Sequence, residues 1–218
     1  DYAYNHPLFT QDMRIYTDSK VSDFLHKIKP EQSVGFLNSW NKSRNKRQRI
    51  YISYDSTNKN CQAGDIDLVE YGKAKADEGL PIFNYSVAYD AANREPLFYE
   101  IYPGSINDVS QLTCMIDKAH GYGYRNLGFI LDRGYFSRKN LSYMEQNGYS
   151  FLIMVKGMKE FISDIILENY GKFENSRAKY NDRYDVYGTT VTRYLYEGDQ
   201  KKRHIHIYYS DGRAYGEK

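Results

Sequence analysis

Hydrophobic patterning along the chain predicts a mixed α/β fold. Three apolar runs at 50–55, 82–90 and 96–103 follow one another through polar connections with no helical pattern between them. Two further apolar runs, 127–132 and 151–157, are separated from their neighbours by stretches of helical period. The last fifth of the chain alternates in polarity and predicts a separate β-rich region.

Bulk composition narrows the classes. At 218 residues the chain is long enough to bury a real core, and 41% hydrophobic with 27% charged residues is ordinary for a globular protein. A net charge of +2 does not mark a nucleic-acid binder, so any such reading rests on local clusters. The two cysteines, Cys61 and Cys114, form no C-x-x-C pair, which excludes a thiolate zinc site and points to a reducing compartment. No apolar run approaches the roughly 18 residues that span a bilayer, so no membrane partner is expected. The chain starts at Asp1 without a signal-peptide pattern, and is expected to be a piece of a longer protein.

Each element has a local reason. Residues 1–45 read as a helical segment and basic linker: Val21, Phe24, Leu25 and Ile28 share one helical face, and Pro30 opens a second helix carrying Val34, Leu37 and Trp40. Lys42, Arg44, Lys46, Arg47 and Arg49 follow; such a cluster binds phosphates by counterion release or forms a solvated linker. "IYISYD" is a strand, expected to end at Asp55. "IFNYSVAYD" and "PLFYEIYPG" make two strands around the loop "AANRE". "NDVSQLTCMIDKAH" is a helix capped by Asn107 or Asp108, with Val109, Leu112, Met115 and Ile116 inward. "LGFILD" and "FLIMVKG" read as buried strands, and "SRKNLSYMEQNG" as a helix ended by Gly148. "MKEFISDIILENYG" is an amphipathic helix. Beyond residue 172, "DRYDVYGTTVTRYLYE" and "RHIHIYYS" form strands joined through "GDQKK".

A right-handed crossover sets strand 127–132 parallel to, and beside, strand 50–55. That is the order of the ribonuclease-H-like fold, with the first strand central. Asp55 and Asp132 then emerge together at the carboxyl edge of the sheet, where open α/β sheets place their sites. Two carboxylates side by side repel one another and call for a cation. Mg²⁺ or Mn²⁺ suits few carboxylates with retained waters, and a pair of such ions about 3.5–4 Å apart serves in-line phosphoryl transfer.

The runs "YDSTN", "YGKAKADEGLPIFNYSVAYDAANREPLFYEIYPGSINDVSQL" and "GFILDRGYFSRKNL" resemble the catalytic domain of DDE-type insertion-sequence transposases. The resemblance is to the bacterial subgroup with a β-strand insertion and a Tyr-Arg-Glu-Lys signature, over about residues 45–218. It implies a ribonuclease-H-like core at 46–170, incomplete, with a truncated β-rich insertion at 171–218 after the fifth strand. It implies two aspartates and one glutamate holding two divalent ions, Mg²⁺ or Mn²⁺. The reaction it implies is phosphodiester hydrolysis at element ends, then strand transfer into target DNA. By position Asp55 is the first acid and Asp132, 77 residues on, the second. Self-association in a synaptic complex and a bacterial, nucleoid-associated cytoplasmic location are also implied.

The third acid of that subgroup sits in Y-x-x-R-x-x-x-E-x-x-x-x-x-x-K, which this chain lacks. Tyr122 and Arg125 lead to Phe129, Tyr180 and Arg183 lead to Tyr187, and Arg193 with Glu197 lacks the Tyr and the Lys. The third acid is expected beyond Lys218, with Glu160, 28 residues after Asp132, as the in-chain rival. Lys73, Lys75, Arg133, Arg138 and Lys156 are candidate phosphate contacts. His204 and His206 share a strand face and read as metal ligands or as a solvated face; Asp65, Asp67, Asp77 and Asp90 read as loop acids. Two functions compete: a transposase fragment inactive alone, and a non-catalytic DNA-binding or inhibitory remnant. A phosphohydrolase with Asp55 as nucleophile fits poorly, because position 57 is Thr where that chemistry places a second acid.

Overall fold

The computed structural model describes residues 5, 14, 16–44, 49–106 and 108–212. Lys46, Arg47, Asn107 and the side chains of Asp108 and Val109 lie outside the described residues. The chain divides into two compact units, Asp1–Met154 and Val155–Lys218.

In the first unit, two helices lead into the sheet: α1 (Asp18–His26), capped by the Thr17 hydroxyl, and α2 (Pro30–Lys42), whose Pro30 supplies a helical φ where no donor is needed. The apolar stripe of α1 stays exposed, with Phe24 at 64% and Leu25 at 57%. Helix α2 is anchored by a buried amide instead: Asn41 Nδ2 donates to Leu97 O at 2.9 Å and Asn41 Oδ1 accepts from Tyr124 Oη at 2.6 Å.

The main sheet has five strands: β1 (Ile50–Asn60), β2 (Ile82–Asp90), β3 (Glu95–Pro103), β4 (Leu127–Leu131) and β5 (Ser150–Ile153). Their order is β3-β2-β1-β4-β5. The β1·β2 and β2·β3 pairs are antiparallel, whereas β1·β4 and β4·β5 are parallel. The β2–β3 turn is tied by Asp90, which is buried and accepts from the backbone of Ala92 and Asn93 and from the Asn93 amide. This is the mixed sheet of a ribonuclease-H-like fold, and a β-rich region follows the fifth strand.

Alternation along β1 turns Ile52, Tyr54 and Ser56 to one face, in register with Phe129 and Leu131 of β4. Helices α3 (Asp108–Gly121) and α4 (Arg138–Gln146) supply Leu112, Met115, Ile116, Leu141 and Met144 to the core. Each of these buried side chains contributes about 1.5–3 kcal/mol. Gly148 ends α4 with φ 70°, the left-handed conformation in which glycine carries no Cβ penalty.

Two strand expectations need correction. Strand β1 does not end at Asp55; it continues to Asn60, because β2 keeps pairing with it down to Asn60↔Ile82. What stops near Asp55 is the β4 side, whose last pair is Tyr54↔Leu131. Strand β5 is shorter than the apolar run 151–157 and is not buried: Leu152 is 53% and Met154 62% exposed. It lies at the edge of the sheet with β4 as its one neighbour.

The second unit holds α5 (Lys159–Asn169) and a three-stranded antiparallel sheet of β6 (Tyr180–Asn181), β7 (Val186–Arg193) and β8 (Arg203–Tyr209). The β7–β8 connection is tied by Asp199, which accepts from the backbone of Leu195 and Tyr196 and pairs with Arg203.

Candidate functional site

Register brings Asp55 and Asp132 to the same place. The parallel ladder β1·β4 runs from Ile50↔Leu127 to Tyr54↔Leu131, and the next residue on each strand is an aspartate. Parallel strands lie about 4.8 Å apart, and residues in register share a face. Both aspartates are exposed. Asp55 Oδ1 accepts from the Ser56 amide at 2.8 Å. Asp132 stands at the start of a 3-10 turn, Arg133–Tyr135, and its side chain takes no capping hydrogen bond from it. The fork where β4 leaves β1 thus carries an exposed aspartate on each strand.

Beneath Asp55 lies a polar network. Tyr54, on the opposite face of β1, is buried and donates to Glu100 Oε2 at 2.8 Å while bonded to Ser86 Oγ. Gln111 Nε2 donates to the same oxygen at 3.0 Å, and Lys118 Nζ stands 3.9 Å from Glu100 Oε1. Burial pushes the Tyr54 phenol far above its ordinary range, so it stays a proton donor. Burial also pulls the Lys118 ammonium down, an effect that Glu100 opposes.

Other sequence candidates are placed as follows. Lys75 Nζ donates to Ser56 O at 2.7 Å, one residue from Asp55, and Lys73 is exposed two residues earlier. Arg133 follows Asp132 directly and is exposed; Arg138 begins α4 and is exposed. Lys156 and Glu160 are exposed in the second unit, Glu160 in the first turn of α5. His204 and His206 are exposed on β8, where His206 Nδ1 meets Thr190 Oγ1 at 2.9 Å across the strand pair. Asp65, Asp67 and Asp77 are exposed loop residues, and Asp77 accepts from Gly79 N. No group of three or more His, Cys, Asp or Glu suited to a metal occurs among the described residues.

Sequence reading missed Asn58 and Asn60, whose amides hold the loop that carries Lys73 and Lys75. The one signal was their i, i+2 spacing with Ser56 on the inward face of β1.

The Transposase DDE domain family matches residues 47–211, most of the chain. The chain belongs to this family. Members of the DDE transposase family generally use divalent metal ions for nucleotidyl transfer. Among solved structures, the Drosophila P element transposase strand transfer complex is similar to this chain at a TM-score of 0.39 and 11% identity. The match covers 78% of this chain and 40% of that one, so the chain spans less than half of that transposase. No curated protein matches the chain. No helix among the described residues is long and apolar enough to cross a membrane.

Proposed function

We propose that this chain supplies the first two acids of a DDE transposase active site, Asp55 and Asp132, for cleavage and transfer of DNA strands. The observation that carries the reading is the β1·β4 register, which sets these exposed aspartates at adjacent positions just past Tyr54↔Leu131. The donor set fits Mg²⁺ or Mn²⁺, which favour carboxylate oxygens and retained water. Divalent ions bound there would stabilise charge on phosphate oxygens and activate water at neutral pH. The chain's own residues hold the rest: Asp55 and Asp132 as metal ligands, with Lys73, Lys75, Arg133, Arg138 and Lys156 as phosphate contacts that position DNA without reading its sequence. The polar network under Tyr54 keeps the first aspartate's strand in place.

The finer assignment is to the bacterial subgroup with the β insertion and Tyr-Arg-Glu-Lys signature, acting on element ends and target DNA in a self-associated complex near the nucleoid. Its third carboxylate belongs to that signature, with Glu160 as the rival. A non-catalytic DNA-binding or inhibitory role is the alternative reading.

The test is Mg²⁺-dependent nicking of DNA carrying element ends, by this chain and by the chain extended through a Tyr-Arg-Glu-Lys segment. The extended protein should cut, and Asp55→Asn or Asp132→Asn should abolish cutting with DNA binding retained. Nicking that survives both substitutions overturns the proposal. Nicking by the 218-residue chain that disappears in Glu160→Gln assigns the third acid to α5.

A further inference from the structure

The connection between β1 and β2 crosses the end of the sheet as a strap. Glu70 and Ile82 exchange two backbone hydrogen bonds, at 2.9 and 2.8 Å, and Gly104 N donates to Leu68 O at 3.2 Å. The crossing is made at backbone contact distance: a Cβ on Gly72 would sit 2.0 Å from Gly104 O, and one on Gly104 would sit 2.2 Å from Ile82 O. Only glycine at both positions permits the approach.

From there the strap runs along the stretch of β1 that β4 has left. Asn58 Nδ2 donates to Lys73 O at 3.0 Å, and Asn58 Oδ1 accepts from Lys75 N at 2.9 Å. Asn60 repeats the arrangement on Asp77, donating to its carbonyl at 2.7 Å and accepting from its amide at 3.2 Å. Each amide thus satisfies one backbone acceptor and one backbone donor, as a neighbouring strand would. Ala74 is buried between Lys73 and Lys75, which are both exposed. The Lys75 ammonium reaches Ser56 O, one residue from Asp55.

We infer that Asn58 and Asn60 are positioning residues that clamp the strap 72–77 so that Lys75 stands beside Asp55, with Lys73 exposed on the same clamped strap, ready to receive a DNA phosphate. The inference rests on the reading of this chain as a DNA-acting transposase. The physical need is clear. Two exposed carboxylates repel an approaching phosphodiester, and fixed cations beside them restore attraction. An unclamped loop would lose backbone entropy on every binding event. The two amides place that ordering in the fold itself, before DNA arrives.

The experiment measures duplex DNA binding by the whole chain across a salt series. Each phosphate contact adds about 0.9 to the slope of log Kobs against log salt. Lys73→Ala and Lys75→Ala should each lower the slope by up to that amount. Asn58→Ala, which changes no charge, should also lower it by about 1 and weaken binding several-fold. Asn58→Asp loses the donor to Lys73 O and adds a negative charge beside both lysines, so it should weaken binding at least as much as Asn58→Ala. A purely structural defect would not move the slope of a protein that remains folded. Tryptic cleavage after Lys73 and Lys75 gives a reading without DNA: release of the clamp should speed it about tenfold. Should Asn58→Ala fail to fold, Asn60→Ala carries both measurements. An unchanged slope in the asparagine variants beside a lowered one in the lysine variants overturns the clamp alone. Unchanged cleavage rates do the same. Binding that ignores both lysines removes the strap from the DNA path. No salt-dependent binding by the unaltered chain overturns the DNA reading and this inference with it.

Discussion

Tyr54→Phe tests whether the fold holds the first aspartate's strand through the network beneath it. The substitution removes one hydroxyl and little else, because the ring remains packed against Tyr135 at 5.4 Å between centroids. The hydroxyl has a single proton, and it goes to Glu100, since the carboxylate has none to give. Ser86 therefore donates to Tyr54. Loss of the hydroxyl leaves Ser86 Oγ without that acceptor and Glu100 with Gln111 as its remaining neutral donor. A hydrogen bond to a charged group contributes about 1.5–3 kcal/mol, and a buried orphaned group costs about 1–3 kcal/mol, so a net loss of about 2 kcal/mol is expected. In a protein of this size that is roughly 4–8 °C in Tm. Glu100→Gln keeps the shape and removes the charge that Lys118 faces, and should lose a similar amount. Urea unfolding of both single variants and the double variant closes a cycle, and the coupling should be about 1–2 kcal/mol. Coupling below about 0.3 kcal/mol would show that the two groups act independently, and the network account of β1 would fail.

Gly104→Ala should destabilise severely, by about 3 kcal/mol or more, because the new Cβ meets backbone at both Ile82 and Glu70 and neither can move alone; thermal melting checks it. Alkaline pH should unfold the protein. Burial pushes the Tyr124 phenol up to about 12 from an ordinary 10.0. Its contribution is fully present below pH 10 and is lost as pH rises toward 12, so phenolate absorbance and loss of circular dichroism should rise together in that window. Mn²⁺ should raise the melting temperature of the unaltered chain slightly, and Asp55→Asn or Asp132→Asn should erase the rise; an equal rise in the variants would place the ion elsewhere.

Period and punctuation alone determined much of this protein. The apolar runs at 50–55, 82–90 and 127–132 mark strands, the i, i+3, i+4 pattern of Leu112, Met115 and Ile116 marks a core helix, and Gly148 marks a helix end. These signals are local, since a strand's alternation and a helix's stripe are written within a dozen residues. The order of elements was enough to set β1 parallel to and beside β4, with Asp55 and Asp132 each following the last paired residue.

What the local pattern could not decide was where pairing stops. "STNKN" after Asp55 reads as a turn because small polar residues favour turns, yet β2 keeps it extended to Asn60. "FLIMVKG" reads as buried, yet Leu152 and Met154 are exposed. Apolar character records what a residue can bury, and only its neighbours settle whether anything covers it. The strap is the clearest case. Asn58 and Lys73 stand 15 residues apart, and the spacing carries no periodic signal. Their hydrogen bond ties the strap to the stretch of β1 beyond the end of the β4 ladder, whose last pair is Tyr54↔Leu131. Hydrogen-bond satisfaction across such distances is a property of the folded backbone, which is why the residues holding the two lysines in place came to light only in three dimensions.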